Sequence, residues 1–128
     1  MYKELGICIV IVISIFLFDF ITQDYTRSSS EKISEELESL KNQMDKNENK
    51  EEIQKKVEEA YDNWIDFHDK LAIYIEHNEL EKVETNFVSC KSFIMQENYE
   101  MAINEIDKTI FGLTHIQDKY AFSLINVF

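Results

Sequence analysis

Hydrophobic positions recur along this chain at two very different densities. Residues 5–18 read LGICIVIVISIFLF, without a charge, whereas after Ile21 apolar residues return every third or fourth position among charged and amide side chains. The first pattern belongs to a segment with apolar surroundings on every side, the second to amphipathic helices. Extended to residues 2–21, the run has 20 residues and as a helix spans about 30 Å, one hydrocarbon thickness. Lys3 and Glu4 then sit at one interface and Asp19 at the other, with Phe16, Phe18, Phe20 and Tyr25 near the second. The DFITQDYTR that follows holds no small-x-small site, so the segment is expected to be an uncleaved anchor rather than a cleaved signal. Residues 1–27 are assigned as transmembrane anchor and hinge. Lys3 and the terminal amine nearly balance Arg27 and Lys32. The usual fate of a signal anchor therefore sets the orientation, a single pass with the domain outside the cytoplasm.

Residues 28–128 predict a four-helix domain of two antiparallel hairpins. Ser28 with Glu31 has capping-box spacing, and Ile33, Leu37, Leu40 and Met44 follow on one helix face; the helix either continues from the span or kinks near residues 26–30. After the polar 45–49, Ile53, Val57, Ala60, Trp64, Phe67, Leu71 and Tyr74 keep a heptad register. Tyr61, Ile65, His68, Ala72 and Ile75 lie beside them, a face broad enough for two neighbours. Asn78 with Glu81 predicts the next cap, before Leu80, Val83, Phe87, Cys90 and Ile94, with Val88 and Met95 widening that face on one side and Phe93 on the other. Asn98 caps a fourth helix with Ala102, Ile106, Ile110 and Leu113 on its stripe, Ile103 and Phe111 alongside, and Gly112 weakening its end. The predicted core anchors are Trp64, Phe67, Leu71, Phe87, Ile94, Ile106 and Ile110. Aligning Asn49 with Asn98 superimposes the two hairpins, a faint repeat resembling tetratricopeptide units without their consensus.

Composition narrows the class. With no proline and two glycines in 128 residues, the turns that sandwiches and barrels need are missing, so the fold is all-α. All but one of the 13 basic and all but two of the 25 acidic residues lie after Ile21, giving that part −11 of the total −12. Such a field repels phosphates and anionic headgroups, which argues against nucleic-acid binding. Cys8 and Cys90 lie too far apart along the pattern to predict a disulfide.

One stretch, WIDFHDKLAIYIEH at 64–77, concentrates two of the three histidines and the single tryptophan. A di-iron bundle would place a carboxylate three residues before each histidine, but Ile65, Tyr74 and Gly112 precede His68, His77 and His115. His68 and His77, nine apart, fall on opposite faces of a continuous helix and could share an ion only if it broke between them. The stretch is therefore a bundle seam. His68 lies beside the core, and His77 and His115 are cations near helix C-termini. Cys90 follows a buried stripe and is expected to be inert unless a base such as His115 approaches it. Catalytic residues, metal ligands and cofactors are all assigned as none.

The combination of a short apolar start, SSEKISEELESLKNQM, IEHNELEKVETNF and HIQDKYAFSLINVF resembles a family of small, uncharacterised, membrane-anchored proteins of anaerobic spore-forming bacteria, catalogued as a domain of unknown function. The resemblance covers nearly the whole chain and implies a signal-anchored helical domain outside the cytoplasm; it assigns no particular activity. The family pattern has a proline after His-Ile where this chain has Gln117, which removes the ground for a sharp turn there.

The expectation is a non-enzymatic, membrane-tethered interaction or scaffold module with a membrane or surface protein as partner, and with a homo-oligomer as a further option. The apolar tail offers the partner surface: Tyr120, Phe122, Leu124, Ile125, Val127 and Phe128. The alternative is a ligand- or cation-sensing domain with a pocket among Trp64, His68, Phe87 and Tyr61.

Overall fold

The structure, a computed structural model describing residues 1–121, contains four helices: α1 (Tyr2–Asp45), α2 (Lys50–Leu71), α3 (His77–Met95) and α4 (Tyr99–Ala121). Each packs against two neighbours, α1 on α2, α2 on α3, α3 on α4 and α4 on α1. The result is a closed up-down-up-down bundle rather than an open stack of repeats.

α1 is one helix of 44 residues, about 66 Å long. Its residues 2–18 are exposed, and among the described residues this is the one helix long and apolar enough to cross a membrane. No helix start forms at Ser28, because α1 runs through residues 26–30 without a break. Thr26, Ser29 and Ser30 are buried mid-helix, and the Thr26 hydroxyl donates to the Thr22 carbonyl at 2.6 Å. Serine lowers helix propensity by only about half a kcal/mol, and packing on α2 and α4 outweighs that.

The predicted stripes of α1 and α3 are buried throughout. Among the predicted anchors Trp64, Leu71, Phe87, Ile94 and Ile106 are buried, whereas Phe67 and Ile110 are half-buried at the core margin. In α4 the inward positions are Ala102, Ile106, Thr109, Leu113 and Ile116. Thr109 takes the place expected for Ile110 because its hydroxyl donates to the Glu105 carbonyl at 2.7 Å, which leaves only its methyl facing the core. Val88 and Met95, expected to widen the α3 core face, are exposed.

The two distal turns share one design. Asn47 and Glu97 take left-handed backbones, φ 50° and 59°. In each case that residue's own amide and the next one bond back in a Schellman pattern: Asn47 to Met44 and Glu48 to Gln43, Glu97 to Ile94 and Asn98 to Phe93. Asn49 and Asn98 then cap the following helices, accepting from the amides of Glu51 (2.8 Å) and Met101 (3.3 Å).

The α2–α3 turn departs from expectation. α2 stops at Leu71, and the chain turns over 72–76. Asn78 is the second residue of α3 and not its cap. The cap position is Glu76, whose amide donates to Tyr120 Oη at 2.9 Å, so a residue 44 positions away satisfies that donor. Tyr74 Oη donates to the Thr22 carbonyl at 3.2 Å and lies 2.8 Å from Thr26 Oγ1, while Ile75 is buried. These long-range demands end the helix early.

Candidate functional site

The 64–77 stretch is a seam. Trp64 is completely buried, with its ring edge-on to His68 at 5.8 Å between centroids, and Tyr61 meets Phe87 the same way at 5.5 Å. The four residues that would have lined a ligand pocket therefore fill space with ring contacts. The helix does break between His68 and His77, yet no group of three or more His, Cys, Asp and Glu is placed to hold a metal ion among the described residues. His77 begins α3 rather than ending α2. Its Nε2 lies 3.8 Å from the Glu81 carboxylate, one helical turn further on.

Cys90 is buried, and burial, with Glu105 second, pushes its thiol up to about 12. It stays protonated and packs as a small apolar side chain. Glu105 lies ten residues from His115, about 15 Å of helix rise, so His115 is not the base for this thiol. Cys8 is exposed on the apolar part of α1.

A groove of about 1000 Å³ lies between α3 and α4. Asn78, Glu79, Lys82 and Asn86 form one wall; Asp107, Phe111 and His115 belong to the other. Gly112 sets its floor: a Cβ built there would come within 3.0 Å of Val83 Cγ2, so glycine lets the helices approach. Gly112 lies inside α4, which continues through Gln117 to Ala121, and does not end the helix.

Several groove charges are already partnered in the fold. Asp107 pairs with Lys41 of α1 at 2.8 Å, a hydrogen bond that raises the lysine's pKa against opposing desolvation. Lys108 pairs with Glu105 at 3.0 Å. Glu79 accepts from Lys119 at 3.2 Å and faces His115 at 3.7 Å. The Lys119 hydrogen bond holds the Glu79 carboxyl below its usual range although burial opposes it. In their midst Phe111 is 75% exposed.

Sequence reasoning placed Phe111 beside the α4 core stripe. The available signal was its position one step from Ile110, off the 106–109–113 register that the structure adopts. Of the predicted partner surface, Tyr120 is half-buried against the core, with its hydroxyl bonded to the Glu76 amide. Phe122, Leu124, Ile125, Val127 and Phe128 lie outside the described residues.

A family model described as Domain of unknown function (DUF4363) matches residues 20–127, so the match covers the bundle and begins where the apolar run is ending. No curated protein and no solved structure matches the chain.

Proposed function

We propose that this chain, which belongs to the DUF4363 family, is a membrane-tethered, non-enzymatic interaction module that docks a membrane or surface protein on its α3–α4 face. Residues 2–21 serve as the anchor, and the bundle lies outside the cytoplasm. The observation that carries the reading is the exposed Phe111 in the α3–α4 groove. A large aromatic ring over a concavity whose neighbouring charges are mostly neutralised is the kind of residue that anchors an interface. The surrounding acidic surface steers partners of opposite charge and repels nucleic acid.

A photocrosslinking side chain at position 111, installed in the full chain in intact membranes, tests this. Mass spectrometry is expected to find one stoichiometric protein joined to position 111 and absent from a control at Lys55, an exposed position on α2. Phe111→Asp should abolish the adduct formed from a second crosslinker at Thr85, without changing the thermal midpoint. Equal labelling from positions 111 and 55, or no adduct at all, would refute the docking face.

A further inference from the structure

We propose that the α2–α3 turn rests in the headgroup region of the bilayer that α1 crosses, with Ile73 as its lipid-contacting side chain. This rests on the anchor reading above and adds a second membrane contact made by the folded domain.

α1 runs from the apolar segment into the bundle without interruption. A continuous helix fixes the height of everything bonded to it, and the turn is bonded to it directly. Tyr74 Oη donates to the Thr22 carbonyl and lies 2.8 Å from Thr26 Oγ1. Thr22 is one residue past Ile21, about 1.5 Å of rise beyond the end of the apolar run. Headgroups extend roughly 5–7 Å beyond the hydrocarbon on each side, so a group level with Thr22 lies among them. Ile73, adjacent to Tyr74, is 77% exposed, more than any other large apolar side chain described beyond residue 21.

Charge at this end does not draw the turn onto an anionic surface, since the exposed Asp69 and Glu81 leave it acidic. Arg27 pairs with Asp24 at 2.9 Å, Lys119 with Glu76 at 3.5 Å, and the Lys70 ammonium sits 5.8 Å from the Tyr25 ring centroid. The contact is therefore apolar, and a zwitterionic bilayer is sufficient for it.

The test uses the full chain carrying Cys8→Ser, with Cys90 left buried, in phosphatidylcholine nanodiscs with and without lipid bearing a shallow nitroxide. A nitrobenzoxadiazole probe is attached in turn at Ile73→Cys, at Glu48→Cys in the distal turn, and at Val12→Cys in the apolar run. Quenching at position 73 is expected to exceed that at position 48 several-fold, with position 12 quenched by a deep nitroxide lipid. If position 73 is quenched no more than position 48 while position 12 responds, the bundle stands clear of the membrane and the seating is wrong with the anchor intact. If position 12 fails to respond, the anchor reading falls and takes the seating with it.

Discussion

Among the described residues beyond Ile21, the α1–α2 hairpin exposes no large hydrophobic side chain, whereas the α3–α4 hairpin exposes Val88, Met95, Met101 and Phe111. Both hairpins use the same Schellman turn and the same asparagine cap, so the contrast does not come from different local architecture. It comes from where apolar residues are placed relative to the stripe. In the first hairpin they lie on the core face or at its margin, while the second carries a surplus outside it. The helix pairs are also joined differently. Ion pairs run from α3 to α4 through Glu79, His115 and Lys119, while Asn63 of α2 donates to Glu36 of α1 at 2.9 Å. The first hairpin extends into the apolar run of α1 and is otherwise polar outside. The second leaves apolar side chains exposed outside its core stripe.

The division concerns surfaces and not the core, and this has the largest measurable consequence. Trp64 on α2 and Phe87 on α3 are both completely buried in one cluster. Truncating either, Trp64→Ala or Phe87→Ala, should cost about 3–5 kcal/mol. Urea unfolding of the full chain in detergent micelles, followed by circular dichroism, should show one cooperative transition moved to lower urea in both variants. If Trp64→Ala melted about half the bundle's helical signal and left the rest at its original midpoint, the hairpins would be separate folding units.

The next effect belongs to the second hairpin alone. Gly112 sits where α4 meets Val83, a buried β-branched side chain with little room to move. Gly112→Ala should gain up to about 1 kcal/mol in helix propensity and lose about 1–3 kcal/mol to crowding, a net destabilisation of about 1 kcal/mol. In a Val83→Ala background the crowding disappears, so the same substitution should then stabilise. Thermal denaturation of the four-member cycle reads this directly, and additive effects would show that α3 and α4 do not meet at this point.

These positions also show how far the sequence could be read. Stripes with a strict three-and-four rhythm, as in α1 and α3, were legible because apolar periodicity and burial coincide there. The α4 stripe was misread at Ile110 because Thr109 looks polar until its hydroxyl is seen to bond within the helix. The end of α2 was misplaced because Tyr74 and Tyr120 act on it from contacts 44 or more residues apart. The groove was invisible for a related reason. Gly112 looks like a weak helix end unless Val83 is known to lie against it.

The shared turn design permits a smaller comparison. Asn47 suits a left-handed backbone, whereas Glu97 adopts one at φ 59° with a full side chain. Glu97→Gly should relieve about 1 kcal/mol of backbone strain, offset only in part by loss of the exposed Lys50 pair at 3.0 Å, and so raise the thermal midpoint. Asn47→Gly should change the thermal midpoint less. A loss of stability in Glu97→Gly would mean that the Lys50 pair between the two distal turns outweighs backbone strain.

The smallest effect concerns the ion cluster at the turn end of α3–α4. Glu79 titrates below its ordinary range, chiefly because Lys119 donates to it. A carboxyl depressed on folding stabilises the native state above the unfolded value of about 4.3, and that stabilisation is lost as pH falls through the lower folded value. The parent chain should therefore lose stability on acidification more steeply than Lys119→Gln, in which the carboxyl titrates closer to its unfolded value. Because Lys119 is exposed, the difference should be modest and should shrink with added salt. Urea midpoints from pH 7 to pH 3 at low and high salt test this. Identical acid slopes in the two proteins would mean that packing across Gly112, and not the charges of Glu79 and Lys119, holds this end of the second hairpin together.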